Sequence, residues 1–85
     1  MLSKHYKREA DNERRCLDVG AGIGRVSTIL SEWFTEVHMI EPSDIYRQRA
    51  IQRMQDLNRP YKRVYSDTIQ TFKPEHGISY DAVWI

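Results

Sequence analysis

The chain has 85 residues, fewer than the usual single domain of roughly 100–150, so a core built from it alone is small. Its one cysteine, Cys16, excludes an internal disulfide and fits a reducing compartment, and the scattered His5, His38 and His76 speak against structural zinc. Thirteen basic against twelve acidic residues leave a net charge of +1, which gives no electrostatic footprint for nucleic acid. No apolar run approaches the ~20 residues of a membrane span, and the residues after Met1 are polar rather than signal-like, so a soluble, intracellular chain is expected.

Residues 1–14 are a polar lead-in in which Lys4, Lys7, Arg8 and Arg14 alternate with Glu9, Asp11 and Glu13, the pattern of a solvated segment. From Arg15 the pattern changes. Cys16-Leu17-Asp18-Val19 is a short apolar run ended by glycines and predicts a buried strand. Gly20-Ala21-Gly22-Ile23-Gly24 follows as a tight turn. Ile23, Val26, Ile29, Leu30, Trp33 and Phe34 then recur at spacings of three and four, the apolar stripe of a helix. Val37–Ile40 predicts a second strand, closed by Glu41-Pro42. Ser43 and Asp44 offer cap chemistry for a helix through about Leu57, with Ile45, Ala50, Ile51, Met54 and Leu57 facing inward. A third strand is predicted at Lys62–Ser66. After a polar connection, Ala82-Val83-Trp84-Ile85 is an apolar run typical of a central parallel strand. Trp33, Phe34 and Trp84 read as packing residues.

This order predicts an α/β fold: about four parallel strands with flanking helices, half of a Rossmann-like doubly wound sheet. The fourth strand is expected beside the first, with its outer edge open.

The chemistry concentrates at the glycine turn, where the backbone can approach a ligand closely. A dinucleotide fingerprint would require glycine at 25, which is arginine, and no Gly-Lys-Ser/Thr marks a phosphate loop. That disfavours a nicotinamide oxidoreductase. The pattern present is Asp18-Val19-Gly20-Ala21-Gly22-Ile23-Gly24, with Glu41 closing the second strand 21 residues after Gly20. It suits S-adenosyl-L-methionine, which presents an ammonium, a carboxylate and two ribose hydroxyls. Asp18 is placed for the ammonium, directly or through water. Arg25 can pair with the carboxylate, the alternative being an exposed helix arginine. Glu41 can accept from the ribose hydroxyls, the alternative being a surface glutamate.

Leu17–Arg25, Glu36–Glu41, Ile69-Gln70-Thr71-Phe72-Lys73-Pro74-Glu75 and Ser79–Ile85 together resemble the alpha-N-terminal protein methyltransferases over residues 15–85. The resemblance implies a class I methyltransferase domain using S-adenosyl-L-methionine, acting in the cytoplasm or nucleus on the α-amino group of proteins that begin Xaa-Pro-Lys. It implies cofactor contacts at Gly20, Arg25 and Glu41, with Ile69 and Gln70 holding the adenine and Asp67 as a competing contact. The family commonly has aspartate where Glu41 stands and a small residue at Thr68. It also places a further cofactor contact, the substrate channel and the amine-deprotonating groups after Ile85, so the expectation is a cofactor-binding half that transfers no methyl group alone. Two other readings stay open: a class I methyltransferase acting on a small molecule or RNA, and a non-catalytic chain that binds only a cofactor or partner.

Overall fold

The computed structural model describes residues 14–59, 61 and 63–85. Residues 1–13 of the lead-in lie outside them. Strands β1 (Arg15–Val19), β2 (Glu36–Ile40), β3 (Arg63–Tyr65) and β4 (Ala82–Trp84) form one parallel sheet in the order β3-β2-β1-β4. Helix α1 (Arg25–Leu30) joins β1 to β2 and α2 (Asp44–Asp56) joins β2 to β3, while residues 66–81 connect β3 to β4 without a helix. The fourth strand lies beside the first, as expected.

Register sorts the side chains. Cys16 pairs with Val37 and Ala82, and Asp18 with Met39 and Trp84; Leu17 pairs with His38 and Val83, one residue along and therefore on the opposite face. The Cys16 face meets the helices, where Cys16, Leu30, Phe34, Val37, Met39, Ala50 and Met54 make the core. Burial, with Asp18 nearby, pushes the Cys16 thiol up to about 11, so it packs as a small apolar group.

The helices depart from expectation in ways the packing explains. Helix α1 ends at Leu30, short of Phe34: Glu32 and Trp33 donate to the carbonyls three residues back, and the Ser31 hydroxyl donates to the Thr28 carbonyl at 2.6 Å. That tightened turn swings Phe34 into the core and leaves Ile29 exposed. In α2 the Ser43 hydroxyl accepts the Tyr46 N–H, and Asn58 stops the helix at φ 54°. Ile45 and Leu57 are exposed rather than inward. The reason is a single close crossing of the two helices, centred on Ala50 and Met54: the position a Gly24 Cβ would occupy is 3.1 Å from Ala50 Cα, and Thr28 Oγ1 is 3.7 Å from Met54 Sδ. Residues at the ends of α2 lie beyond that crossing.

The last strand is an edge in this sheet, so Val83 and Trp84 are half exposed and Trp84 is not a core residue. An apolar groove of about 370 Å³ runs along it between Cys16, Leu30, Trp33, Phe34 and Trp84, and no residue of the glycine turn lines it. Among the described residues no helix is long and apolar enough to cross a membrane.

Candidate cofactor site

The carboxyl ends of β1, β2 and β3 are fastened to one another by backbone hydrogen bonds. Gly20 and Ala21 both donate their N–H to the Ile40 carbonyl at 2.9 Å, and the Glu41 N–H donates to the Tyr65 carbonyl at 2.9 Å. The Glu41 side chain, buried to 7% exposure, crosses between the two loops. Its Oε1 accepts the Gly22 N–H at 2.7 Å and its Oε2 accepts the Ser43 N–H at 2.9 Å. A carboxylate has about four lone-pair sites, so two backbone donors leave it able to accept two hydroxyls more.

The glycines divide by task. Gly20, Gly22 and Gly24 all have positive φ, at 73°, 59° and 89°. A Cβ at Gly20 or Gly22 would meet nothing within 4 Å, whereas one at Gly24 would press on the Ala50 backbone. The first two therefore leave open space at the strand ends, and the third lets α1 approach α2. Spacing in the sequence does not separate these roles.

Asp18, expected to face the ammonium, lies beneath the turn at 1% exposure, and its Oδ2 accepts the Ser27 hydroxyl at 2.5 Å. Burial raises its pKa, and the Ser27 hydrogen bond opposes that rise. Ser27, wholly buried in α1, was not singled out by the sequence reading; the signal was a small hydroxyl residue within an apolar stripe, nine residues after an aspartate. Arg25 opens α1 with its side chain exposed. Ile69 and Gln70 are exposed on a turn in which the Thr71 and Phe72 N–H groups donate to the Thr68 carbonyl, and the Thr71 hydroxyl accepts the Thr68 N–H. Asp67, the competing contact, is half-buried just ahead of that turn. The structure thus joins Gly20, Gly22 and Glu41 directly through Ile40 and shared hydrogen bonds. Ile69 and Gln70 follow Tyr65, the last residue of β3, in the chain, and among the described residues no hydrogen bond joins them to the glycine turn. Among the described residues, no group of three or more His, Cys, Asp or Glu could hold a metal ion.

Open space over two positive-φ glycines, beside a buried carboxylate with spare acceptor capacity, fits an adenosyl group whose ribose hydroxyls donate. The model of the family of AdoMet-dependent proline dimethyltransferases matches residues 1–85. The chain belongs to this family. The family is one of S-adenosylmethionine-dependent enzymes, so its cofactor is the one the glycine pattern indicates.

Solved structures agree on the fold. A SAM-dependent methyltransferase of Leishmania major superposes with a TM-score of 0.64 at 24% identity, over 71% of this chain and 24% of that one. The plantazolicin methyltransferase BpumL, in complex with SAH, gives 0.64 at 22% identity, over 82% and 26% of the two chains. The N-terminal domain of human METTL16, also in complex with SAH, gives 0.62 at 21% identity, over 93% and 34%. The chain therefore spans about a quarter to a third of the length of these structures. A search of curated protein sequences found no match.

Proposed function

We propose that this chain holds the cofactor of a methyltransferase acting on the α-amino nitrogen of proteins that begin Xaa-Pro-Lys, in the cytoplasm or nucleus. The observation that carries the cofactor part is Glu41, whose carboxylate joins the Gly22 and Ser43 N–H groups and retains acceptor capacity at the head of β2. The family match over the whole chain and the Phe72-x-Pro74-Glu75 and Tyr80-Asp81-x-x-Trp84-Ile85 segments support the substrate part.

When bound, S-adenosylmethionine supplies a methyl group on a cationic sulfur. The residues of this chain hold and orient it: Glu41 accepts from the ribose hydroxyls, Gly20 and Gly22 admit the ligand to the backbone, and Arg25 pairs with the carboxylate of the methionine moiety. Ile69 and Gln70 receive the adenine, one as an apolar wall and the other as a hydrogen-bonding amide. Asp18 holds α1 under the turn through Ser27 rather than reaching out to solvent. A proline nitrogen at a protein N-terminus is a secondary amine, and two methyl additions make it a fixed cation, which agrees with the dimethyl product in the family's name.

The test pairs calorimetry of S-adenosylhomocysteine with a methyl-transfer assay in the full-length protein. Peptides beginning Pro-Pro-Lys, Ala-Pro-Lys and Ser-Pro-Lys are compared with N-acetylated copies. Transfer to the free peptides alone is expected. Transfer that ignores acetylation, or that occurs only on RNA or small molecules, overturns the substrate reading, and absence of S-adenosylhomocysteine binding overturns the site.

A further inference from the structure

On the face of the sheet away from the helices, a buried histidine sits at the centre of an aromatic cluster. His38 has no exposed surface. Its Nε2 lies 3.2 Å from Glu36 Oε1, and its Nδ1 lies 2.8 Å from the hydroxyl of Tyr80, 42 residues away in sequence. Glu36 also accepts from Arg15 Nε at 2.7 Å, and that hydrogen bond holds its carboxyl below the usual range. An ionised Glu36 only accepts. The proton of a neutral His38 is therefore on Nε2, and the bare Nδ1 accepts the Tyr80 O–H. The Tyr80 hydroxyl, which also interacts with that of Tyr65, thus has a buried acceptor in Nδ1.

From Tyr80 the contacts lead to the cofactor side. Its ring meets His38 edge-on at 5.2 Å and Phe72 at 6.4 Å, and Phe72 meets Tyr65 edge-on at 4.9 Å. Phe72 closes the turn that carries Ile69 and Gln70, by donating its N–H to Thr68 at 2.9 Å. Tyr65 accepts the Glu41 N–H through its carbonyl, and its hydroxyl donates to Glu75 at 2.8 Å. One cluster thus borders both the turn at 68–72 and the backbone of Glu41.

We propose that His38 and Tyr80 are a positioning pair for the adenine side of the cofactor site, acting through Phe72 to hold the Thr68–Phe72 turn. This rests on the reading of Ile69 and Gln70 as adenine contacts. Residues 66–81 contain no helix that could set the turn by its own backbone, so its place on the sheet depends on side chains, and the hydrogen bond from Tyr80 to His38 fixes the ring against which Phe72 lies.

The experiment is a calorimetric double-mutant cycle with S-adenosylhomocysteine, on full-length protein shown to be folded by near-ultraviolet circular dichroism. Tyr80→Phe keeps the ring and removes the hydroxyl, and should weaken binding about 3- to 10-fold, the equivalent of one buried hydrogen bond. His38→Leu should match that loss. His38→Asn should recover most of it, because its carbonyl can accept from Tyr80. Added to Ile69→Ala, Tyr80→Phe should cost little more, since the contact it positions has already gone. Full additivity, no loss in Tyr80→Phe, or equal losses for His38→Leu and His38→Asn would overturn the positioning role while leaving the adenine assignment standing. Unchanged affinity in Ile69→Ala overturns the adenine assignment, and the proposal with it. If Tyr80→Phe does not fold, Phe72→Leu takes its place in the cycle with the same expected non-additivity.

Discussion

On one face of the sheet, α1 and α2 bury Val37, Met39, Ala50 and Met54; on the other, residues 66–81 lie over His38 and Tyr65 without a helix. The helices satisfy their own backbone, so their face is closed mostly with apolar side chains, the buried Asp18–Ser27 hydrogen bond being its polar contact. The connection at 66–81 cannot do that, and it is tied down by directed bonds: Tyr80 to His38, Tyr65 to Glu75, and the Asp81 N–H to the Arg15 carbonyl at 2.8 Å. The helix face is therefore sensitive chiefly to volume, and the loop face chiefly to hydrogen bonding. The proposed cofactor site lies where both meet, at the strand ends.

That contrast can be broken most directly at Met54, a fully buried side chain on the helix face. Met54→Ala should cost about 2–5 kcal/mol of stability by leaving a cavity, whereas Tyr80→Phe on the loop face should cost about 1 kcal/mol. Denaturant melts of the two variants decide it, and equal losses would remove the distinction between the faces.

The glycine turn sharpens the comparison. Gly24→Ala forces a methyl against the α2 backbone at positive φ and should cost about 2–4 kcal/mol. Gly22→Val meets open space and bears mainly the conformational strain, yet it fills the region proposed for the cofactor. A melt should therefore rank Gly24→Ala as less stable, while calorimetry should find S-adenosylhomocysteine binding lost in Gly22→Val. Retained binding there would detach this turn from the cofactor.

A smaller effect is expected at Glu41. Glu41→Ala should weaken S-adenosylhomocysteine binding by about 1–3 kcal/mol. Glu41→Gln should cost less, but not nothing, because one amide group must then face a backbone N–H as a second donor. Two variants that bind like the parent would leave Glu41 with only its loop contacts.

The smallest effect separates the faces by pH. His38 is depressed below its ordinary value of 6.5, chiefly by burial, with Glu36 pulling the other way and Arg15 and Arg63 adding to the depression. The unfolded chain then binds the proton more tightly, so stability falls as pH drops below about 6.5 through the folded value. Glu36 is held below 4.5 first by the Arg15 hydrogen bond, so its contribution is present above that value and is lost on further acidification. Asp18 on the helix face has the opposite sign: its raised pKa means stability declines as pH rises from 3.8 through its folded value. Melts from pH 8 to 4 should show a fall starting near pH 6.5 that His38→Asn flattens; a fall that survives the substitution would assign it elsewhere.

Much of this was legible from the residues because it is local. Cys16–Val19 ended by glycines, the cap at Ser43 and the stop at Asn58 each depend on neighbours a few positions away, and the strand order followed from the handedness of parallel crossovers. That the glycine turn and Glu41 lie together was legible because strand ends in such a sheet converge at one edge. Whether Ile29, Ile45 and Leu57 were buried was not legible, since a stripe of period 3.6 marks a face but not how much of it a neighbour covers, and here one crossing at Gly24 and Ala50 covers the middle.

The sequence by itself determined the order of the elements, the parallel sheet and the class of ligand, because propensity, periodicity and the chemistry of a glycine turn act over short stretches. Only the tertiary structure decided that Gly24 serves helix packing while Gly22 faces open space, and that Asp18 is engaged by Ser27. It also decided that the carboxylate of Glu41 bridges two loops and that His38 meets Tyr80. Each of these depends on strand register and on one helix lying against another, and residues 9 to 42 positions apart meet only once the sheet has formed.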